Sequence, residues 1–195
     1  MKLLYYTKRS PYARKARVVA IEKGLSLECI NEDLANKSTA LLSANPLGKV
    51  PTLILDNGQT IYDSPVICQY LDGLNDKPIL IPRAGPARYK VLKWEALADD
   101  LVSNAINLYM EKVRHPQDFH AKFISVGESS IHKAYQYIEQ HLKEMAPLSL
   151  APIAVASAIG YIHFRLPHLA VKGEVEQWFN EFSKRPSMAQ TVPAA

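Results

Sequence analysis

The hydrophobic pattern changes type along the first third of the chain and then settles into one period. Leu3-Leu4-Tyr5-Tyr6 is a short apolar run of strand length. Ser10-Pro11 then opens a stretch with apolar residues at Val18, Val19, Ile21 and Leu25, the spacing of a helix that ends near Gly24. A second strand is predicted over Leu27 to Ile30, then a short helix carrying Leu41 and Leu42 ahead of Asn45-Pro46. Thr52-Leu53-Ile54-Leu55 and Thr60-Ile61-Tyr62 read as strands joined by the hairpin turn Asp56-Asn57-Gly58. Ser64-Pro65 opens a helix with Val66, Ile67, Tyr70 and Leu71 on it. The order β-α-β-α-β-β-α predicts an α/β unit whose first crossover is right-handed.

Residues 74–85 break the periodicity with Asn75, Asp76, Pro78, Pro82 and Gly85. Beyond Pro86 only helical spacing remains. Leu92, Ala96, Leu97, Leu101, Ile106 and Met110 predict a long helix over 87–113, and His115-Pro116 ends it. Helices follow over 118–145, 150–165 and 175–183, the middle one apolar all round. The chain thus divides into an α/β unit over 1–76, a linker over 77–85 and an all-helical unit over 86–195, packed as layers. The run from Leu150 to Phe164 is shorter than the roughly 20 residues a bilayer needs, so it predicts a buried helix and no membrane span.

Composition changes this picture little. At 195 residues with 48% apolar and 22% charged positions, usage is globular. The opening apolar stretch is too short for a signal peptide, and two cysteines make no disulfide framework, so a cytoplasmic location is expected. The +4 charge is spread evenly, 10 basic against 8 acidic residues up to position 80 and 13 against 11 after it. One cluster stands out: Lys8, Arg9, Arg14, Lys15 and Arg17. It reads as a solvated helix face or as a field favouring an anionic ligand. No long basic stripe suggests nucleic acid. The six histidines form no ligand pair, so no metal is expected. Cys29 and Cys68 are expected in the core.

Three turns carry candidate chemistry. Ser10-Pro11-Tyr12-Ala13 begins a helix with a favoured cap followed by a favoured first residue. It is also a site where exposed N–H groups favour an anion. The tetrapeptide has the shape of a Cys-Pro-x-Cys redox turn with both sulfurs absent, so any thiol chemistry there needs a sulfur brought by a ligand. Asn45-Pro46-Leu47-Gly48-Lys49-Val50-Pro51 leads into a strand. A rigid strand start accounts for it; so does a cis Val50–Pro51 bond that turns the Val50 backbone outward to pair with a peptide ligand. Asp63-Ser64-Pro65 repeats the capping pattern. It could equally hold the ammonium and carboxylate of an α-amino acid.

In their order and spacing these segments resemble the bacterial cytosolic glutathione S-transferase family, of the serine type with a theta/zeta-like first motif. The likeness runs from Ser10 to Arg17, through Glu22-Lys23-Gly24-Leu25, Asn45 to Pro51, and Asp63 to Asp72, to Phe164-Arg165-Leu166-Pro167. It implies a thioredoxin-like first unit that binds glutathione, and a helical second unit. Ser10 matches the thiol-activating serine, with Tyr6 as the alternative. Val50 and a cis Pro51 match the backbone that meets the cysteinyl part. Asp63 and Ser64 match the γ-glutamyl site, and Lys37 and Lys49 are candidates for the glycyl carboxylate. The helical unit supplies an electrophile pocket, with Trp94 and Tyr109 as candidates, and the family is usually homodimeric. The implied reaction is conjugation of glutathione to a small electrophile, or a related glutathione-dependent isomerisation, dehalogenation or peroxide reduction. A non-catalytic, protein-binding member of the same fold is the alternative. Two departures are visible: the buried helix opens Ser149-Leu150-Ala151-Pro152, where Pro152 removes the acidic residue and the N–H of a capping box, and Pro65 removes one N–H beside the proposed carboxylate site.

Overall fold

The computed structural model of the chain describes residues 2–194. Strands β1 (Leu3–Tyr6), β2 (Glu28–Asn31), β3 (Thr52–Ile54) and β4 (Thr60–Ile61) form one sheet in the order β2-β1-β3-β4. β1 and β2 run parallel across helix α1 (Pro11–Glu22), and β3 is antiparallel to both β1 and β4. Helix α2 (Thr39–Ala44) precedes β3, and α3 (Ser64–Gly73) follows β4. Long helices α4 (Gly85–Arg114), α5 (Ala121–His141) and α6 (Leu150–Arg165) follow, then α7 (Glu174–Phe182) and α8 (Pro186–Ala189). The sequence reading overlooks α8 and the 3₁₀ turns at Leu142–Glu144 and Pro167–Leu169, which are too short to show a period. This is the α/β half and all-helical half that the chain's pattern predicts, with the thioredoxin-like first half that the resemblance implies.

The halves share their apolar core. Leu4, Val18, Val19, Leu53, Ile67 and Leu71 of the sheet half pack in one cluster with Leu150, Ile153 and Ala156 of α6, together with Phe182 and Met188. Helix α6 is therefore buried along its length, as its all-round apolar sequence requires. Its start is uncapped. Ser149 makes no side-chain cap bond and its buried hydroxyl has no partner, in line with the loss caused by Pro152. The Leu150 N–H instead donates to the Leu80 carbonyl at 2.9 Å, which ties the linker to α6.

Two expectations fail on the basic cluster and on Cys29. Arg14 and Lys15 are not a solvated face: they are 4% and 1% exposed, because α1 is sandwiched between the sheet and the helical half. Lys15 Nζ donates to Glu95 Oε1 at 2.8 Å and to Asp99 Oδ2 at 2.7 Å, both on α4. Burial alone would lower the Lys15 ammonium, but its neighbours Cys68, Glu95 and Asp99 together outweigh it and hold the group above its ordinary value. Cys29 is exposed, because β2 is an edge strand, whereas Cys68 on α3 is buried as expected. A second buried cation, Lys23, donates to Asp72 at 3.0 Å and to the carbonyls of Asn75 and Pro78, fastening α1 to the linker.

Removing Lys15 leaves Glu95 and Asp99 without their buried counter-charge. Lys15→Ala should lower stability by about 3–5 kcal/mol in urea unfolding. At the other end of α1, Arg185 and the Ser187 hydroxyl both donate to Glu22. The Arg185 bond first, with Ser187 helping and burial opposing, holds the Glu22 carboxyl below its ordinary 4.5. A depressed carboxylate contributes stability above its unfolded pKa and loses it as pH falls through the folded value. Glu22→Gln should therefore be less stable than the parent at pH 7, and thermal melts should show the difference shrinking as pH falls below 4.5.

Candidate functional site

The register of the sheet gathers three of the turns at one end. Tyr5 of β1 lies opposite Thr52 of β3, and Leu53 lies opposite Ile61 of β4. The C-terminal ends of β1 and β4 and the start of β3 therefore share an edge. The turn to Ser10, the Val50-Pro51 step and Asp63-Ser64 all leave from it.

Ser10 is the N-cap of α1. Its Oγ accepts from the Ala13 N–H at 3.2 Å, and Pro11 occupies the first helical position. Only a lone pair of the hydroxyl is used by the helix. Its proton remains free to donate outward, beside the positive end of the α1 dipole. In the same turn, Thr7 is buried with an unpartnered hydroxyl. Tyr6, the alternative to Ser10, ends β1 half-buried, with the Arg17 guanidinium 4.4 Å from its ring centroid.

The Val50–Pro51 bond is cis. Among the described residues no hydrogen bond engages the Val50 backbone. The loop before it is held from within. Asn45 Nδ2 donates to the Lys49 carbonyl and to Thr52 Oγ1, Asn45 Oδ1 accepts from the Leu47 N–H, and Thr52 Oγ1 donates to Lys49 O at 2.8 Å. Gly48 adopts φ +54, where a side chain would be strained and a Cβ would press on the Leu42 and Lys37 side chains. Lys37 thus lies across Gly48, next to Lys49, and both lysines are exposed. The Tyr62–Asp63 bond is also cis. Asp63 is exposed and makes no side-chain cap bond, while Ser64, the first residue of α3, is buried.

The two candidates from the helical half part company. Trp94 is 3% exposed, in the core of that half and 5.6 Å from the Tyr137 ring, so its ring serves packing. Tyr109 is half-buried with the Arg165 guanidinium 4.8 Å from its centroid. Tyr161 lies within electrostatic reach of Arg165, Tyr109 and Tyr12, and burial pushes its phenol up to about 12. Tyr12 joins this wall to the serine turn: its hydroxyl bonds Ser103 Oγ of α4 at 2.7 Å. The sequence reading missed Tyr12, Asn45 and the Lys15–Glu95–Asp99 group. Only Lys15 left a trace, at the same helical spacing as Pro11 and Val19 on the inward face of α1.

Comparison with known proteins bears on the family and the fold. The family model described as "Glutathione S-transferase, N-terminal domain" matches residues 9–74. The Escherichia coli (strain K12) protein described as an uncharacterized GST-like protein, YibF, is 32% identical over 94% of this chain and 95% of its own length. A probable glutathione S-transferase of Nicotiana tabacum is 26% identical over 69% of this chain, which spans only 57% of that relative. Among solved structures, a glutathione transferase family member from Pseudomonas fluorescens Pf-5 with bound glutathione superposes with a TM-score of 0.91 at 35% identity, covering all of both chains. A glutathione S-transferase from Methylobacillus flagellatus with glutathione bound gives 0.89 at 33%, again over both whole chains. With a relative 32% identical over nearly the whole of both chains, the chain belongs to the glutathione S-transferase family.

Proposed function

We propose that the chain binds glutathione at this sheet edge and activates its thiol for attack on a small electrophile. The observation that carries the reading is the split use of Ser10, whose oxygen accepts from the helix while its proton stays available to an anion. No sulfur of the chain lies in the Ser10–Ala13 turn, so the nucleophile must come with the ligand. The bound glutathione of the Pseudomonas and Methylobacillus relatives supports glutathione as that ligand. The assignment of the serine-type, theta/zeta-like subclass rests on Ser10 alone.

A free thiol has a pKa near 8.5, so about 3% is thiolate at pH 7. Bringing it down by about two units takes about 2.7 kcal/mol of preference for the anion. A hydroxyl bond to a charged group contributes about 1.5–3 kcal/mol and a helix start about 0.3–1. These suffice together, so Ser10 acts as a donor and no general base is required. The free Val50 N–H and C=O would pair with the cysteinyl backbone. Asp63 would meet the α-ammonium, Ser64 the α-carboxylate, and Lys37 or Lys49 the glycyl carboxylate. The electrophile would lie against Tyr12 and Tyr109, where positioning beside the thiolate supplies most of the remaining rate. Tyr62, Val66 and Tyr89 expose large apolar or aromatic surface on and beside α3 and α4, which suits pairing with a second copy of the chain.

Ser10→Ala should lower turnover of a chromogenic aryl halide by about one to three orders of magnitude, the loss expected for one donor to a developing or resting anion. Affinity for glutathione should stay nearly unchanged. The ultraviolet thiolate band of bound glutathione should titrate well below pH 8.5 in the parent and move back toward it in the variant. Full activity in Ser10→Ala would transfer the role to Tyr6. Asp63→Asn should leave turnover at saturation near the parent value and raise the half-saturating glutathione concentration about tenfold or more, the worth of one charge-assisted hydrogen bond.

A further inference from the structure

The connection between α6 and α7 is fastened by a histidine used as an acceptor. His163 stands half-buried in the last turn of α6, with its ring edge-on to Phe179 of α7 and 5.0 Å between the centroids. Its Nε2 accepts from the Val171 N–H at 3.2 Å. Val171 is buried with Leu169 and Val175 in the core of the helical half, and its N–H makes no other hydrogen bond among the described residues. A buried N–H is costly to leave unpaired. Only an unprotonated ring nitrogen can accept, so the bond exists with the imidazole neutral and its one proton on Nδ1. A protonated ring carries hydrogens on both nitrogens and repels the Val171 N–H.

The connection runs through the turn Pro167–Leu169 to Gly173, which at φ +72 begins α7 without a side-chain cap. The entry to α7 is therefore positioned by the His163 bond and by the burial of Leu169, Val171 and Val175. Beyond α7 lie Arg185 and Ser187, which hold Glu22 of α1. The groups around the imidazole act on its proton in opposite senses. Burial is the largest influence and disfavours the cation, and Glu176 of α7 favours it; the balance holds the ring below its ordinary 6.5. Arg14 of α1 borders the same cavity of about 390 Å³ and also disfavours a second cation, while Ser183, Val192 and Pro193 bring no charge to it. The ring lines this cavity, so a proton can reach it without global unfolding.

We propose that His163 is an acid-sensitive latch: as the neutral imidazole it holds the Val171 segment and the entry to α7 in place, and on taking a proton it releases them. The closed form resists the proton and the open form does not. The latch is therefore fully set above about 6.5, the value of a free imidazole, and its hold is lost as pH falls below it.

Amide hydrogen exchange of the whole chain, read at Val171 and corrected for the intrinsic rate at each pH, tests the latch. From about pH 7.5 to about pH 5.5 the protection of Val171 should fall by about three- to tenfold, because an open imidazole is about nine-tenths protonated at the lower value. His163→Gln keeps an acceptor that does not titrate, so its Val171 protection should be the same at both values. Unchanged protection of Val171 in the parent overturns the proposal, as does an equal fall in a folded His163→Gln chain. Should the variant fail to fold, an NMR titration of the parent decides. The Val171 amide shift should move with the same midpoint as the His163 ring, below 6.5, and an amide that does not follow the ring overturns the latch.

Discussion

The Lys15 ammonium, held between Glu95 and Asp99, is the contact on which the arrangement of the two halves depends. It brings a charge from the first helix together with two from the fourth, Lys15 and Glu95 buried and Asp99 partly so. Such a group is tolerated only with its partners in place. It therefore fixes how α1 is rotated against α4 more tightly than apolar packing would, since apolar contact is non-directional. With that rotation set, Tyr12 reaches Ser103, Arg14 faces α6, and Ser10 stands at the exposed end of the helix beside the sheet edge.

The same helix carries three polar tasks on neighbouring turns. Ser10 caps it and keeps a proton to donate, Lys15 locks the halves together, and Glu22 fastens the C-terminal segment through Arg185 and Ser187. The site's own rigidity comes from elsewhere. Asn45 and Thr52 bind the loop before Pro51 to itself, so the Val50 backbone is held in place by the chain's own hydrogen bonds.

Arg14 and Lys15 show how differently two adjacent cations can be used. Both are buried, and only one has carboxylates. The Arg14 guanidinium lies over Gly160 and donates instead to the Met188 carbonyl and Thr191 Oγ1.

The elements, their order and the cap at Ser10 were set by residues close in sequence, because periodicity, capping and turn geometry act over a few positions. The hairpin at Asp56-Asn57-Gly58 and the uncapped start at Pro152 were legible for the same reason. The residues of the three turns were also readable, since each turn is a local motif. Tertiary structure alone decided which charges are buried and where large side chains end. Lys15 meets partners 80 and 84 positions away, so its spacing on α1 hinted that it faces inward but gave no sign of the carboxylates it meets there. Trp94 went to the helical core and Cys29 to an edge strand by the same rule. A side chain's surroundings are set by helices and strands that approach from far along the chain.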